Sequence, residues 1–170
     1  MSGDTLFYIM FGLVIAAAVT FITVFILRKL KGSLTIVMPR TSFDSGGDME
    51  GQILVKINKE TLGNFLTVAL VADEVTTRYE DGERETDTRE VYRDEYQLEG
   101  NRTYPSGHES AHDFKLTIPA MNNKETALGK AIETLAHSFG SRKSRVEWTV
   151  ESRLDAQGVD LVTKKTVSVR

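Results

Sequence analysis

The chain has 170 residues, 41% of them hydrophobic and 26% charged, with a formal net charge of −3 and no cysteine. That length holds one domain plus an appendage. The missing thiol excludes disulfides, thiolate metal sites and a cysteine nucleophile, and the acidic balance argues against general affinity for nucleic acid or an anionic membrane surface.

The hydrophobic residues are unevenly spread. "LFYIMFGLVIAAAVTFITVFIL", Leu6 to Leu27, is 22 residues without a charge. As a helix it extends about 33 Å, against a hydrocarbon core of about 30 Å. The leader "MSGDT" has one acid and no base, unlike the start of a secretory signal peptide, so a retained single transmembrane helix is predicted. Arg28, Lys29 and Lys31 follow the run, and only Asp4 precedes it. The basic flank favours the cytoplasm, which puts the N-terminus outside and the soluble part inside. Three cations are few for an anionic-lipid patch and suffice as a topology stop. Residues 1–31 therefore read as tail, span and stop, and 32–170 as one soluble domain. Asp4 and the three cations sum to +2, so the domain carries −5.

Beyond the stop the sequence reads as strands. "SLTIVM" (33–38) leads into a turn-rich stretch, "FDSGGDMEG", that ends at Gly51. "QILVKI" (52–57) alternates, and "NFLTVALVADEVTTRY" (64–79) is long and β-branched. Asp81-Gly82 is a hairpin signal before a charged return strand, 84–98. Further strands are expected at 112–119, 144–156 and 160–169, with Gln157-Gly158 turning the last hairpin. About seven strands with short turns predict a mainly β fold, an antiparallel immunoglobulin-like sandwich. One segment differs. In 122–140 the apolar residues Leu128, Ile132, Leu135 and Phe139 fall at helical spacing, ahead of Gly140 as a stop.

This order of elements resembles the arrestin family. Gly47-Asp48, then Gly51, then "QILVKI" is similar to the family's glycine-aspartate turn and the alternating strand after it. "GHESAHDFKLTIP", with Phe114, Leu116 and Ile118 inward before Pro119, and the final Trp148-centred hairpin are similar as well. The resemblance covers about 33–170 as one sandwich of the usual two. The helix-bearing insertion after Pro119 and the N-terminal span depart from the family, so receptor binding is not carried over. The resemblance implies an arrestin-like sandwich acting as a scaffold or adaptor without catalysis.

The same stretch contains H-E-x-x-H, as His108-Glu109-x-x-His112. On a helix this pattern holds zinc and activates water, with Glu133 or His137 available as third ligand, and Ser106 with Glu109 could cap such a helix. Pro105 and Gly107 are poor helix residues, however, and 112–118 alternates as a strand. On a strand the two histidines lie about 13 Å apart, too far to share an ion. Blue copper is excluded by the lack of a thiolate. Asn101-Arg102-Thr103 matches a glycosylation sequon that a cytoplasmic placement would silence.

The expectation is a single-pass, N-out membrane protein without enzymatic activity or cofactor. It presents an arrestin-like sandwich to the cytoplasm as an interaction module, scaffold or accessory subunit of a membrane complex. It takes a protein partner, and neither nucleic acid nor a small-molecule substrate. The alternatives are a membrane-anchored zinc metallopeptidase and an extracytoplasmic subunit of a pilus-like or cell-surface apparatus. Two features exceed what a bare sandwich needs. The hairpin 78–97 has eight acidic and four basic residues, which makes Glu80, Asp81, Glu83, Glu85 and Asp87 candidates for partner binding. The helix adds Leu128, Ile132 and Leu135, which either pack on the sandwich itself or face a partner.

Overall fold

Alternation of apolar and polar residues sets the sheets. In β1 (Gly32–Val37) every second residue is buried, Leu34 and Ile36 among them. In β3 (Asp48–Ile57) the buried positions are Met49, Ile53, Val55 and Ile57. Successive side chains of a pleated strand point to opposite faces, so each strand has one dry face. The computed structural model describes residues 3–80, 83–120, 127–136 and 142–170. The other strands are β2 (Ser42–Phe43), β4 (Thr61–Glu80), β5 (Glu83–Glu99), β6 (Arg102–Tyr104), β7 (Glu109–Thr117), β8 (Arg142–Ala156) and β9 (Leu161–Val169). The helices are α1 (Gly3–Lys31) and α2 (Ala127–Ala136).

The strands form two sheets, β1-β3-β7 and β2-β9-β8-β4-β5, with β6 pairing the start of β4. All pairings are antiparallel except β2 with β9. Between the sheets lies one core. Leu34, Ile53, Val55 and Phe114 come from the first sheet, and Leu66, Leu70, Val150 and Leu154 from the second. Trp148 is buried there as expected, with its ring 5.9 Å from that of Tyr92. The fold is a mainly β sandwich whose sheets do not close into a barrel.

Two sequence expectations are corrected, and a third is met only over the described residues. The short strands β2 and β6, two and three residues long, fall below the length at which alternation can be read. Asp48–Gly51 is not part of the turn but the first half of β3, paired with Phe114–Thr117 of β7. The turn is confined to residues around Gly46, whose φ of 77° suits glycine. The predicted helix 122–140 is described as α2 over Ala127–Ala136, while 121–126, 137–141 and the hairpin residues Asp81 and Gly82 lie outside the described residues.

α1 is 29 residues long and carries the whole uncharged run. Among the described residues, no helix is long and apolar enough to cross a membrane. Within α1 the side chains of Leu6, Tyr8, Ile9, Phe21, Phe25 and Ile26, among others, fall outside that description.

Candidate interaction surface

β4, β5 and β8 run together well past the sandwich body. β4 is 20 residues, which at about 3.3 Å per residue spans about 65 Å. Its N-terminal end sits beside α1: Asn58 and Lys59, just before it, donate backbone N–H groups to the carbonyl of Lys31 at 2.8 and 3.3 Å. Its far end, paired Glu80 to Glu83, is the tip of the ribbon. The hairpin therefore points away from the helix.

Among the described residues β5 is the last strand of its sheet, so one of its two edges has no strand partner there. Its register places Glu85 opposite Arg78 and Asp87 opposite Thr76. Alternation then puts Glu83, Glu85 and Asp87 on one face, two residues apart. All three are exposed. Among the described residues none of the three forms an ion pair or side-chain hydrogen bond. Some other carboxylates are matched: Glu74 by Arg89 at 2.8 Å, Glu151 by Lys164 at 2.5 Å, Asp160 by Arg153 at 2.5 Å. The side chain of Glu80, and all of Asp81, lie outside the described residues.

The helical half of the predicted surface is placed differently. Leu128 is 3% exposed and Ala131 fully buried, and both belong to the core cluster, with Ile132 packed against it. The apolar stripe thus closes α2 onto β5 and β8 of its own sheet, because a sandwich extended by a long ribbon leaves an apolar face that needs cover. Leu128 lies in the core, and Ile132 is half-buried against it. The side chain of Leu135 lies outside the described residues.

The H-E-x-x-H residues lie on β7 and the turn before it, not on a helix. Glu109 is exposed and pairs with Lys56 at 2.7 Å; the hydrogen bond from that ammonium holds its carboxyl below the usual range. His112 is on the other side of the strand, with Nε2 3.0 Å from Ser110 Oγ. The His108 ring packs edge-on to Tyr104, with centroids 5.4 Å apart. A strand thus separates the three groups that a zincin helix would bring together. Among the described residues, no group of three His, Cys, Asp or Glu is placed to hold a metal ion.

Sequence reasoning missed the polar cluster next to His112. Tyr104 Oη, fully buried as part of its residue, donates to Glu99 Oε2 at 2.6 Å, and Arg102 Nη1 donates to Glu99 Oε1 at 2.6 Å. Burial pushes the Glu99 carboxyl up, but the two hydrogen bonds and the nearby His112 outweigh it, so the net shift is downward. Burial, then the bond to Glu99, pushes the Tyr104 phenol well above its ordinary value. The cluster pins β6 to the end of β5, a link too local and too irregular to leave a periodic signal.

The junction with α1 was also invisible in the sequence. Arg28 Nε donates to the Asp160 carbonyl at 3.0 Å, and Lys31 Nζ to those of Gln157 and Val159 at 2.7 Å each. The last carbonyls of the helix are capped by the β3–β4 turn, Asn58 Nδ2 reaching Lys29 O at 3.4 Å. Leu27, Leu30, Leu62 and Val159 border a groove of about 310 Å³ at this joint.

No protein-family profile and no curated protein matches the chain. Among solved structures, the crystal structure of Spo0M, the sporulation control protein from Bacillus subtilis, matches with a TM-score of 0.57 at 17% identity. The match covers 82% of this chain and 49% of that one, so this chain spans about half the length of the protein it resembles. At such identity the likeness bears on the fold alone. With the two-sheet topology above, the fold it supports is a mainly β sandwich.

Proposed function

We propose that this protein is a non-catalytic interaction module, anchored by α1 with its N-terminus outside and its sandwich in the cytoplasm, that binds a basic partner along the acidic edge of β5. The observation that carries the reading is the row Glu83, Glu85 and Asp87, exposed on an edge strand and without an ion pair among the described residues. Unpaired like charges in a row raise the electrostatic free energy of the free protein, and a cationic partner relieves it. The likeness to a sporulation control protein is compatible with a regulatory role and does not identify a partner.

The anchor rests on the uncharged run Leu6 to Leu27 in the sequence and on the cations that follow it. The ribbon then carries the acidic row away from the membrane, to a distance set by the length of β4. Two experiments test the reading. A reporter fused after Arg170 should be cytoplasmic, and digestion of the sandwich by protease added to intact cells would overturn that orientation. Protein purified in mild detergent should lose its partner when Glu83, Glu85 and Asp87 are changed together to lysine. Retention of the partner would overturn the acidic edge.

A further inference from the structure

The free edge of β5 bears on what kind of segment the partner offers. An edge strand presents a row of unpaired backbone N–H and C=O groups and is a template for another strand unless something blocks it. The usual blocks are a bulge, a proline, an inward-pointing charge or a covering element. The register of β4 with β5 is regular from Asp73 to Glu80, its irregularities lying between Leu66 and Thr67 and between Ala72 and Asp73. No proline occurs in 83–99. Residues 83–88 are all exposed, so among the described residues no element covers them, and the block that remains is charge.

On the face of Glu83, Glu85 and Asp87 that block is one-signed and periodic, and therefore selective. Pairing β5 with β5 of a second copy would bring carboxylates against carboxylates, which disfavours self-association. A strand with cations at every second position would place each of them beside Glu83, Glu85 or Asp87 on the same face. The opposite face of β5 offers Arg84, Thr86 and Thr88, which suit neutral residues in between.

We propose that the edge of β5 over residues 83–88 accepts an extended segment of a protein partner as an added strand, with lysine or arginine at alternate positions. This rests on the acidic-edge reading above and adds to it the backbone pairing and the spacing. Backbone bonds would supply affinity, and the alternating cations would select the segment and its register.

The test uses the full-length protein in detergent and fluorescent synthetic peptides read by anisotropy. One peptide alternates lysine and threonine. A second has the same composition with its lysines contiguous. Two more are the alternating peptide N-methylated at odd or at even amides. Only one set of alternate amides can face β5, so methylation in one register should weaken binding about tenfold or more and in the other should matter little. The contiguous peptide should bind more weakly than the alternating one. Equal binding of all four would mean attraction by charge alone, which overturns strand addition and leaves the acidic-edge reading standing. Unchanged binding to the Glu83→Gln, Glu85→Gln, Asp87→Gln variant would overturn both. No binding of the alternating peptide at low salt would also overturn the proposal.

Discussion

Lys31, the last residue of α1, donates from Nζ to the carbonyl oxygen of Gln157 at 2.7 Å and to that of Val159 at the same distance. A cation that reads in the sequence as a topology stop forms, in the structure, a clasp between helix and sandwich. Burial pushes its ammonium down, against the pull of Asp160. Lys31→Met keeps the length of the side chain and removes both donors. Hydrogen bonds to charged groups are worth about 1.5–3 kcal/mol, and less where water can replace them. The expected result is faster amide exchange at 157–160 and a melting point lower by a few degrees. Unchanged exchange in that turn would mean the clasp contributes nothing.

Tyr104→Phe should cost about 1–3 kcal/mol, because it strips a buried hydrogen bond from an ionised carboxylate. Glu99 is held below its unfolded value, so its contribution is complete above about pH 4.3 and drains away as pH falls through the folded value. The difference between wild type and variant should therefore narrow in urea melts at pH 3 compared with pH 7. The phenol itself is raised, so its share is complete below about pH 10 and is lost above that. An undiminished difference at pH 3 would show that the Glu99 charge is not involved.

Leu128→Ala should destabilise the domain by about 2–5 kcal/mol, as truncation of a buried leucine does. Leu128→Asp should detach α2 or unfold the domain, and the emission of Trp148 should shift to the red. A Leu128→Asp protein with wild-type stability and no partner binding would return the helix to the docking surface.

Gly51→Ala and Gly46→Ala separate packing from backbone freedom. A methyl at Gly51 would meet the Phe114 ring and the Val37 carbonyl oxygen, each at 2.7 Å. The carbonyl belongs to the backbone and cannot swing aside, so a loss of about 1–3 kcal/mol is expected. At Gly46 nothing lies within 4 Å, and only the positive φ resists, at about 1–2 kcal/mol. Thermal melts of both variants decide the ranking; a neutral Gly51→Ala would contradict the packing.

Glu109→Gln removes an exposed ion pair with Lys56 and should leave partner binding unchanged. Dialysed wild-type protein should hold no stoichiometric zinc by atomic absorption. One tightly held zinc per chain, lost on His112→Ala, would restore the metallopeptidase reading.

The sequence by itself determined the elements with strong periodicity. The alternation in "QILVKI" and in Phe114-Leu116-Ile118 is local, and a strand's dry face follows from it directly, as Ile53, Val55 and Leu116 confirm. The Asp81-Gly82 signal likewise foretold that β4 returns as β5. Three other matters were decided only when the chain folded. The stripe Leu128-Ile132 is equally suited to a core or a partner, and the choice depends on whether β5 and β8 leave apolar surface beneath it. His108, Glu109 and His112 have the spacing of a zinc site on a helix and none of its geometry on β7, because pairing with β3 fixes the backbone as a strand. Charge is the third. The net charge of 78–97 can be read from the sequence, but which carboxylates are neutralised is decided by the fold: Glu151 takes Lys164 across β8 and β9, while Glu85, though opposite Arg78, forms no ion pair among the described residues.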